Sequence, residues 1–447
     1  MQPVDRHTLH ELQLLPENSR TASIFAFYNQ TETLGGSDYL KSIITKPKET
    51  PDDIRRFQKL LKTIAARPTA WQINIAKAYA AAAESYFALS VAHSMSQDVV
   101  KHWFDTWLYS VKNKGEYYRI QSGVLATLRL ARAVENTLNN LSETVIPDEI
   151  AEDIDQLRKF IFSPVLSAFL KRNDGKLSNG SIFYLDYHFR ISHRNEFRQL
   201  LDTLYRLDAC QAIIKTARRH RLTFPEFDAH LKGFRADSVW HPLITDAVAN
   251  DFSLGPDQPV CILTGANTSG KTTFLKTCGI LVYLAHLGWP VPAQSLRLPF
   301  VDRLFTSIHL SDDLDQGFSH FYSEMIRIKQ ISQALSAGER CFVIVDELFR
   351  GTNQEDAFHC SKTVLNGFAN FEGSYFLVST HLHELITHYT GHSQLSFHCF
   401  RTRITGHQFQ NTFKIEEGAA FEKVGRLIMD QTGVTALLQN AKRPSPE

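Results

Sequence analysis

A loop bracketed by two glycines and ending in a lysine and a hydroxyl residue is the strongest chemical signal in the sequence. It reads Gly265-Ala-Asn-Thr-Ser-Gly270-Lys271-Thr272 and follows an apolar run at residues 259–264. In such a loop the backbone N–H groups turn toward phosphate oxygens, the lysine reaches the outer phosphates and the hydroxyl serves Mg²⁺. A helix that starts near Lys271 adds its positive end to the same site. We therefore predict that ATP and Mg²⁺ are bound by Gly265, Ala266, Asn267, Thr268, Ser269, Gly270, Lys271, Thr272 and Thr273.

Two adjacent carboxylates, Asp346 and Glu347, follow a second apolar run at residues 341–345. Neighbouring residues point in different directions, so Asp346 can face the magnesium shell together with Thr272 while Glu347 addresses an attacking water. On its own, this pattern is also typical of an ordinary strand end. Combined with the loop, it favours a hydrolytic site with Glu347 and Lys271 as catalytic candidates.

A third apolar run, at residues 375–380, delivers His381 to the same predicted sheet edge. A polar group at that place can sense the γ-phosphate of a nucleotide, so His381 is the third catalytic candidate. His383 and Glu384 follow it and give a pattern with a superficial likeness to a metal site. Two histidines spaced two apart at a strand-to-helix turn are rarely a ligand set, and we do not predict zinc.

The elements that must position these residues alternate between short apolar runs and helical segments at about 271–287, 319–337 and 356–370. This alternation predicts an α/β domain with a buried parallel sheet. Residues 395–415 read as edge hairpins and residues 421–440 as helix. From about residue 50 to 220 the patterns are helical throughout. We expect a helical domain over 1–232, a P-loop ATPase domain over 233–418 and a C-terminal helical tail over 419–447.

Charge and composition limit the choice of partners and compartment. The 447 residues carry 48 Lys and Arg against 47 Asp and Glu, a formal net charge of +1, so any DNA contact must come from local patches. No apolar signal core and no run of ~18 apolar residues is present in the sequence, and the six cysteines form no C-x-x-C pair. We expect a soluble cytoplasmic protein. Basic residues that are candidates for phosphate contact are Arg190, Arg194, Arg198, Arg218, Arg219 and Arg221.

These motifs resemble those of the MutS family of DNA mismatch repair ATPases. The family's Thr-Gly-Pro-Asn-Met-x-Gly-Lys-Ser-Thr is similar to the loop here, with Asn267 as the distinctive match, while Ala266 and Thr272 replace proline and serine. Ser319-His-Phe-Tyr-Ser-Glu-Met resembles the family's S-x-F-x-x-E-M signature. The segments 346–356 and 380–385 resemble its Asp-Glu-x-x-Arg-Gly-Thr-Ser and Thr-His-Tyr-x-Glu-Leu segments.

The resemblance implies an ABC/MutS-type ATPase domain preceded by an all-α lever domain, working as a homodimer. Ser319 would then complete the nucleotide site of the partner subunit, Asp356 would lie near the dimer seam, and residues 421–440 would form a dimerisation tail. The likeness begins near Thr8, which implies a form without the family's mismatch-reading and connector domains. No aromatic partner for the adenine can be placed from the sequence.

Three functions remain open at this point. The first is a MutS-like ATPase that acts on DNA structures in repair or recombination without classical mismatch reading. The second is a transporter-type nucleotide-binding subunit, although its Leu-Ser-Gly-Gly-Gln signature is absent from the sequence. The third is a scaffold that uses ATP only to hold a closed dimer, which the presence of Glu347 disfavours.

Overall fold

The chain divides into two compact units, one of them helical and the other built around β-sheets. The computed structural model describes residues 1–18, 21–74, 76–88, 98–112, 114–172, 177–227, 233–308, 320–405, 408–420, 429 and 432–439. One unit consists of Tyr28–Ile44 and Arg55–Arg219, and we call it the helical unit. The other combines Met1–Phe27, Thr45–Ile54 and His220–Glu447, and we call it the nucleotide unit.

Helices account for the regular structure of the first 220 residues that the structure describes. A single π-turn, His188–Ser192, separates the last two of them. The predicted long helix from Arg194 is present and ends at His220. In chain order the helices are α1 (Arg6–Glu11), α2 (Ile24–Tyr28), α3 (Leu34–Ile44), α4 (Pro51–Ala66), α5 (Pro68–Trp71), α6 (Lys77–Ala88), α7 (Val99–Lys112), α8 (Lys114–Asn140), α9 (Asp148–Ile161), α10 (Pro164–Leu170), α11 (Asn179–Tyr187) and α12 (Arg194–His220).

Buried polar side chains tie the helices of the helical unit together. Asp208 in α12 accepts hydrogen bonds from the backbone N–H groups of Glu32 and Thr33, just ahead of α3. Arg190 is buried and donates to both carboxylate oxygens of Asp186 at 2.6 Å. The expectation that Arg190 could contact DNA phosphates was therefore wrong, because its guanidinium is already paired inside the unit.

The nucleotide unit is centred on a six-stranded sheet in the order β10-β9-β4-β8-β7-β6. Its strands are β4 (Val260–Gly265), β6 (Arg303–Ser307), β7 (Cys341–Val345), β8 (Tyr375–Ser379), β9 (Leu395–Thr405) and β10 (Gln408–Glu417). All pairings are parallel except the antiparallel β9–β10 edge. The three predicted apolar runs are β4, β7 and β8, and all of β7 and β8 is buried. The predicted edge hairpin is also confirmed.

A second, four-stranded sheet in the order β1-β5-β2-β3 was not predicted. It contains β1 (Glu226–Phe227), β2 (Phe234–Val239), β3 (Asn250–Leu254) and β5 (Ser295–Leu298). These strands are short and carry many polar residues, so they lack the continuous apolar runs that mark the central sheet. The β2–β3 pair is antiparallel and leads the chain toward the nucleotide loop.

Helices cover the central sheet: α13 (Lys271–Leu287), α14 (His320–Ser336), α15 (Gln354–Phe368) and α16 (His383–Tyr389). Ile328 belongs to the apolar core that includes β7 and β8, and Phe321 and Met325 pack against that core. Of the predicted helical tail at 421–440, most residues lie outside the described part of the chain. Within it, Val434–Gln439 forms helix α17. Among the described residues, no helix has both the length and the apolar character that crossing a membrane requires.

Candidate functional site

The loop between β4 and α13 has the backbone geometry of a phosphate cradle. Gly265 and Gly270 have φ angles of +134° and +106°, which residues with a side chain rarely adopt. A Cβ on Gly265 would lie 2.6 Å from the carbonyl oxygen of Phe400, so glycine is required there on steric grounds as well. The hydroxyl of Ser269 donates to the carbonyl of Ala266 at 2.7 Å and fixes the turn from inside. Asn267 and Thr268 are exposed at its tip.

Lys271 opens helix α13 and folds back over the loop. Its Nζ donates to the carbonyl oxygens of Gly265 at 2.7 Å and Ala266 at 3.0 Å, and only 3% of the residue is exposed. Burial lowers the pKa of Lys271, and the negative charges of Glu347 and Asp346 oppose that shift. A buried ammonium whose hydrogen bonds end on neutral carbonyls is suited to receive an anionic ligand, because a phosphate would supply the missing countercharge.

Three strand and helix ends meet at Asp346, directly after β7. The Thr272 hydroxyl donates to Asp346 Oδ2 at 2.5 Å, and the Ser379 hydroxyl donates to Asp346 Oδ1. Ser379 also accepts a hydrogen bond from the backbone N–H of Glu347 at 2.9 Å. Hydroxyl and carboxylate oxygens are the ligands that Mg²⁺ prefers, with water and substrate phosphates filling its remaining positions. Thr272 and Asp346 therefore have the oxygen ligands that would hold a magnesium ion beside a bound nucleotide.

Glu347 lies beside this pair in a left-handed backbone conformation with φ +59°. One carboxylate oxygen is 3.3 Å from Arg350 Nε, and the other is 4.0 Å from His381 Nδ1. The carboxylate is largely shielded, whereas the Arg350 and His381 side chains are more than half exposed. The structure thus brings together all three catalytic candidates at one sheet edge, since Lys271 also interacts electrostatically with Glu347.

Asp356 and Ser319 were predicted to lie at the contact between two subunits, and the structure of one chain does not contain that contact. Asp356 is exposed in the first turn of α15, where its N–H receives a cap from Asn353 Oδ1 at 2.9 Å. Asn353 Nδ2 in turn donates to Asp356 Oδ2 at 2.7 Å. This reciprocal cap is sufficient to explain Asp356 as a helix-starting residue. Ser319 lies outside the described residues.

A cleft of about 390 Å³ adjoins the phosphate loop. Phe413 of β10 lines it and reaches within 3.3 Å of where a Cβ on Gly270 would stand. The side chain of Asn250 holds β10 in place, donating to the Phe413 carbonyl at 3.0 Å and accepting from the Ile415 N–H at 2.8 Å. The connection after β2 also lines the cleft, with Trp240, His241, Ile244, Ala247 and Val248.

His241 is the most buried polar residue of that connection. Burial, aided by Lys276, lowers the pKa of His241 to about 4, so its ring is neutral near neutral pH. Phe413 is half-exposed, and the cleft that it lines also contains apolar side chains and the neutral ring of His241. Such a lining suits the size and polarity of a purine base. The cleft therefore offers Phe413 as a candidate for the base-binding side chain that could not be placed from the sequence.

Ser379, Phe413 and the Trp240–Val248 connection are the site residues that sequence reasoning missed. The position of Ser379 offered a weak signal, since it is a polar residue at the end of a buried strand beside β7. Phe413 offered none, because it is brought to the loop by pairing of β10 with β9 rather than by sequence proximity.

The fold and its strand-tip chemistry define a P-loop ATPase-type α/β domain. Residues 261–444 match the family model of MutS domain V. This match covers 184 of the 447 residues, and it makes this part of the chain similar to the ATPase domain of the MutS family.

Curated relatives agree with this assignment. The proteins named DNA mismatch repair protein MutS from Exiguobacterium sp. and Nitrobacter hamburgensis are 31% and 33% identical over 215 and 204 residues, which is 45% and 43% of this chain. The protein of the same name from Syntrophomonas wolfei is 30% identical over 281 residues, 61% of this chain. The matched segments cover 25%, 22% and 31% of those relatives, so the chain spans less than a third of their length.

Proposed function

We propose that this chain binds ATP with Mg²⁺ and hydrolyses its terminal phosphoanhydride bond. The observation that carries the proposal is the continuous contact from Thr272 through Asp346 and Ser379 to the backbone of Glu347. This contact joins the magnesium-binding oxygens to the candidate water-orienting carboxylate. Because the contacts run between α13, β7 and β8, they depend on the tertiary fold and not on a local turn.

Different side chains of this protein bind the phosphates, the base and the metal. The loop N–H groups and Lys271 hold the triphosphate, and Phe413 with the Trp240–Val248 connection holds the base. Bound Mg²⁺, held by Thr272 and Asp346, would neutralise developing charge on the phosphates. Glu347 orients the attacking water or accepts its proton, while Arg350 and His381 fix the direction of that carboxylate. We also propose that His381 contacts the γ-phosphate.

Replacing Glu347 by Gln tests hydrolysis separately from binding. The variant keeps the shape of the side chain but loses its basic charge, so we expect turnover to fall by about 10²–10⁴-fold with little change in ATP affinity. Phosphate release and fluorescent-nucleotide titration measure the two quantities. Full turnover by the Gln variant would contradict the role of Glu347, whereas ATP binding without turnover by the wild type would identify a scaffold that uses ATP only to hold a closed state.

We further propose that hydrolysis takes place in a homodimer with composite sites, in which Ser319 contacts the partner's nucleotide. Ser319→Ala and Lys271→Ala should each be inactive alone. Mixing them in equal amounts gives half mixed dimers with one intact site each, so about a quarter of the wild-type rate should return. If no activity returns although subunits exchange, the sites are not shared.

We propose that the protein uses ATP turnover to act on a DNA structure, because the curated relatives are named DNA mismatch repair proteins. Branched, recombining and ordinary duplex DNA are the candidates. The test compares ATPase rates with duplex, branched and single-stranded DNA and without DNA, at a stated salt concentration, since phosphate contacts weaken as salt rises. Identical rates in all arms, together with no DNA binding, would contradict this part of the proposal.

A further inference from the structure

A buried carboxylate at the end of α1 is tied to the last residues of β6. Glu11 is almost fully buried, and its Oε1 accepts a hydrogen bond from the backbone N–H of Ile308 at 2.6 Å. Its Oε2 accepts from the hydroxyl of Thr306, and His7 Nε2 lies 3.0 Å from Oε1. Burying a carboxylate is costly unless its oxygens are hydrogen-bonded, so these contacts hold Glu11 and the end of β6 together.

Arg327 of α14 contacts the same strand end from a second helix. It is buried, and its Nε and Nη2 donate to the carbonyl oxygen of Thr306 at 3.0 Å and 2.8 Å. Nη2 also donates to Thr8 Oγ1 at 2.9 Å, and Nη1 donates to Asp5 Oδ2 at 2.7 Å and to Gln330 Oε1 at 3.3 Å. Arg327 therefore joins α1, β6 and α14, and Asp5 supplies a countercharge.

These contacts lie on the outer side of β6. In the described part of the central sheet β6 is an edge strand, with β7 on its inner side. The Ser307 carbonyl points toward β7, where it accepts from the backbone N–H of Asp346 at 2.8 Å. Backbone groups alternate in direction along a strand, so the Thr306 carbonyl and the Ile308 N–H point the other way. The two buried side chains described above bind these groups in place of a further strand.

The residue between the two bound groups, Ser307, is the one that holds the backbone of Asp346. Asp346 is also the carboxylate that accepts from Thr272 at the proposed magnesium site. Partners that orient a metal ligand from behind commonly change metal affinity when they are removed. Buried ionic groups can often be replaced by apolar residues without loss of stability, so stability alone does not account for directional contacts at this place.

We propose that Glu11 and Arg327 are positioning residues for the Mg²⁺-binding carboxylate of Asp346. They hold the outer side of β6, which fixes the Ser307 carbonyl and, through it, the backbone of Asp346. This role rests on the proposed binding of ATP with Mg²⁺ and adds residues that act through the backbone of β6. A network that only supports the fold is the alternative, and the Mg²⁺ dependence of ATP binding distinguishes the two.

The test uses the full chain with Glu11→Ala, which removes both acceptors at the strand end. The matched control, Glu339→Ala, removes a carboxylate from the other end of β6, where it lies 3.0 Å from Arg303 Nε. Glu11→Gln is the conservative variant, because its amide keeps an acceptor for the Ile308 N–H and offers a donor to the Thr306 hydroxyl. Fluorescent-nucleotide titrations at a series of Mg²⁺ concentrations, including none, give the ATP affinity at each, and thermal unfolding verifies that the variants are folded.

For Glu11→Ala we expect the Mg²⁺ concentration that gives half of the gain in ATP affinity to rise about tenfold, as for other partners of metal ligands. ATP affinity without Mg²⁺ should stay close to that of the wild type, because the phosphate loop is untouched. Glu11→Gln should recover most of the shift, and Glu339→Ala should show none. Equal Mg²⁺ requirements of Glu11→Ala and Glu339→Ala would overturn the positioning role, as would a loss of ATP affinity that is the same with and without Mg²⁺.

Arg327→Lys is a second variant that tests the network without changing Glu11. Lysine keeps a positive charge beside Asp5 but cannot hold the Thr306 carbonyl with two N–H groups in a fixed fork, so the Mg²⁺ requirement should rise here too. An unchanged requirement in this variant would overturn the role of the network while leaving the proposed ATP site standing. Absence of magnesium-dependent ATP binding in the wild type would instead overturn the proposed function and the positioning role together.

Discussion

Lys271 in the nucleotide unit and Arg190 in the helical unit are both buried cations, but their surroundings differ. Lys271 donates to two neutral carbonyls at the start of a helix, and Arg190 is paired through two hydrogen bonds with Asp186. Tyr86 donates to the same carboxylate at 2.6 Å, so Asp186 is the shared acceptor of Arg190 and Tyr86. A buried cation such as Lys271, whose hydrogen-bond acceptors are neutral, can still bind an anion. A buried cation such as Arg190, which is already paired with a carboxylate, stabilises the fold instead.

The largest expected effect concerns the paired cation. Arg190→Met leaves Asp186 as a buried carboxylate without its countercharge, which typically costs about 3–5 kcal/mol of unfolding free energy. Urea unfolding followed by circular dichroism measures this. A second variant, Asp186→Leu with Arg190→Met, removes both charges and should recover part of the loss. If the single variant is as stable as wild type, the pair does not stabilise the helical unit and the comparison fails.

A smaller effect, on binding rather than stability, is expected in the phosphate loop. Gly265→Ala adds a Cβ 2.6 Å from the Phe400 carbonyl oxygen at a φ of +134°, so the loop must shift. Strain of this kind costs on the order of 1–3 kcal/mol, and we expect ATP affinity to fall by a comparable factor of about 10–100. Gly367→Ala in α15 is the matched control, since its Cβ would meet nothing within 4 Å. Equal ATP affinity of the two variants would contradict the cradle geometry.

The third prediction concerns the pH dependence of stability and the buried, neutral side chain of His286. His286 lies in the nucleotide unit, where its Nδ1 contacts the Val282 carbonyl at 2.7 Å and its Nε2 accepts from the Val301 N–H at 3.1 Å. Burial is the main reason that the pKa of His286 is lowered from 6.5 to about 3.

Between these pH values the unfolded chain binds the proton and the folded chain does not. His286 therefore makes stability fall as the pH drops from 6.5 toward 3, by up to about 1.4 kcal/mol per pH unit. His286→Gln, which cannot titrate, should flatten the dependence in urea unfolding series at pH 7, 6 and 5. An unchanged slope would show that His286 is not the residue responsible.

The smallest effect is expected at the base cleft. Phe413→Ala removes the ring that lines the cleft beside Gly270, and loss of one base–aromatic contact costs about 1–3 kcal/mol. ATP should therefore bind about tenfold more weakly, while inorganic triphosphate, which has no base, should bind as before. Phe358→Ala in α15, away from the cleft, is a control for loss of a phenylalanine. Equal weakening of ATP and triphosphate would place Phe413 at the phosphates and not at the base.

The same contrast explains what could be predicted from the sequence. The loop and the Asp346–Glu347 pair are encoded by neighbouring residues at the ends of apolar runs, so spacing alone indicates that they meet at one sheet edge. The polar β1, β2, β3 and β5 strands have no such run. Contacts across the sheet, such as Ser379 with Asp346, depend on strand order, which periodicity does not contain.

Helical patterns likewise predict where helices occur but not what they pack on. Residues Met1–Phe27 belong to the nucleotide unit, and Asp5 at the start of α1 is paired with Arg327 of α14 at 2.7 Å. Nothing in the amphipathic pattern of α1 identifies that partner. The buried state of Arg190 was missed for the same reason, because a charged residue on a helix is usually solvent-exposed.

The central claim is that the loop around Lys271 and the oxygens of Thr272 and Asp346 form one site for ATP with Mg²⁺. Isothermal titration calorimetry of the purified chain with ATP, with and without Mg²⁺, tests it most directly, using Lys271→Ala alongside. We predict magnesium-dependent binding by the wild type and at least about tenfold weaker binding by the variant, since hydrogen bonds to charged groups contribute about 1.5–3 kcal/mol. No binding by the wild type, or equal binding by Lys271→Ala, would contradict the account.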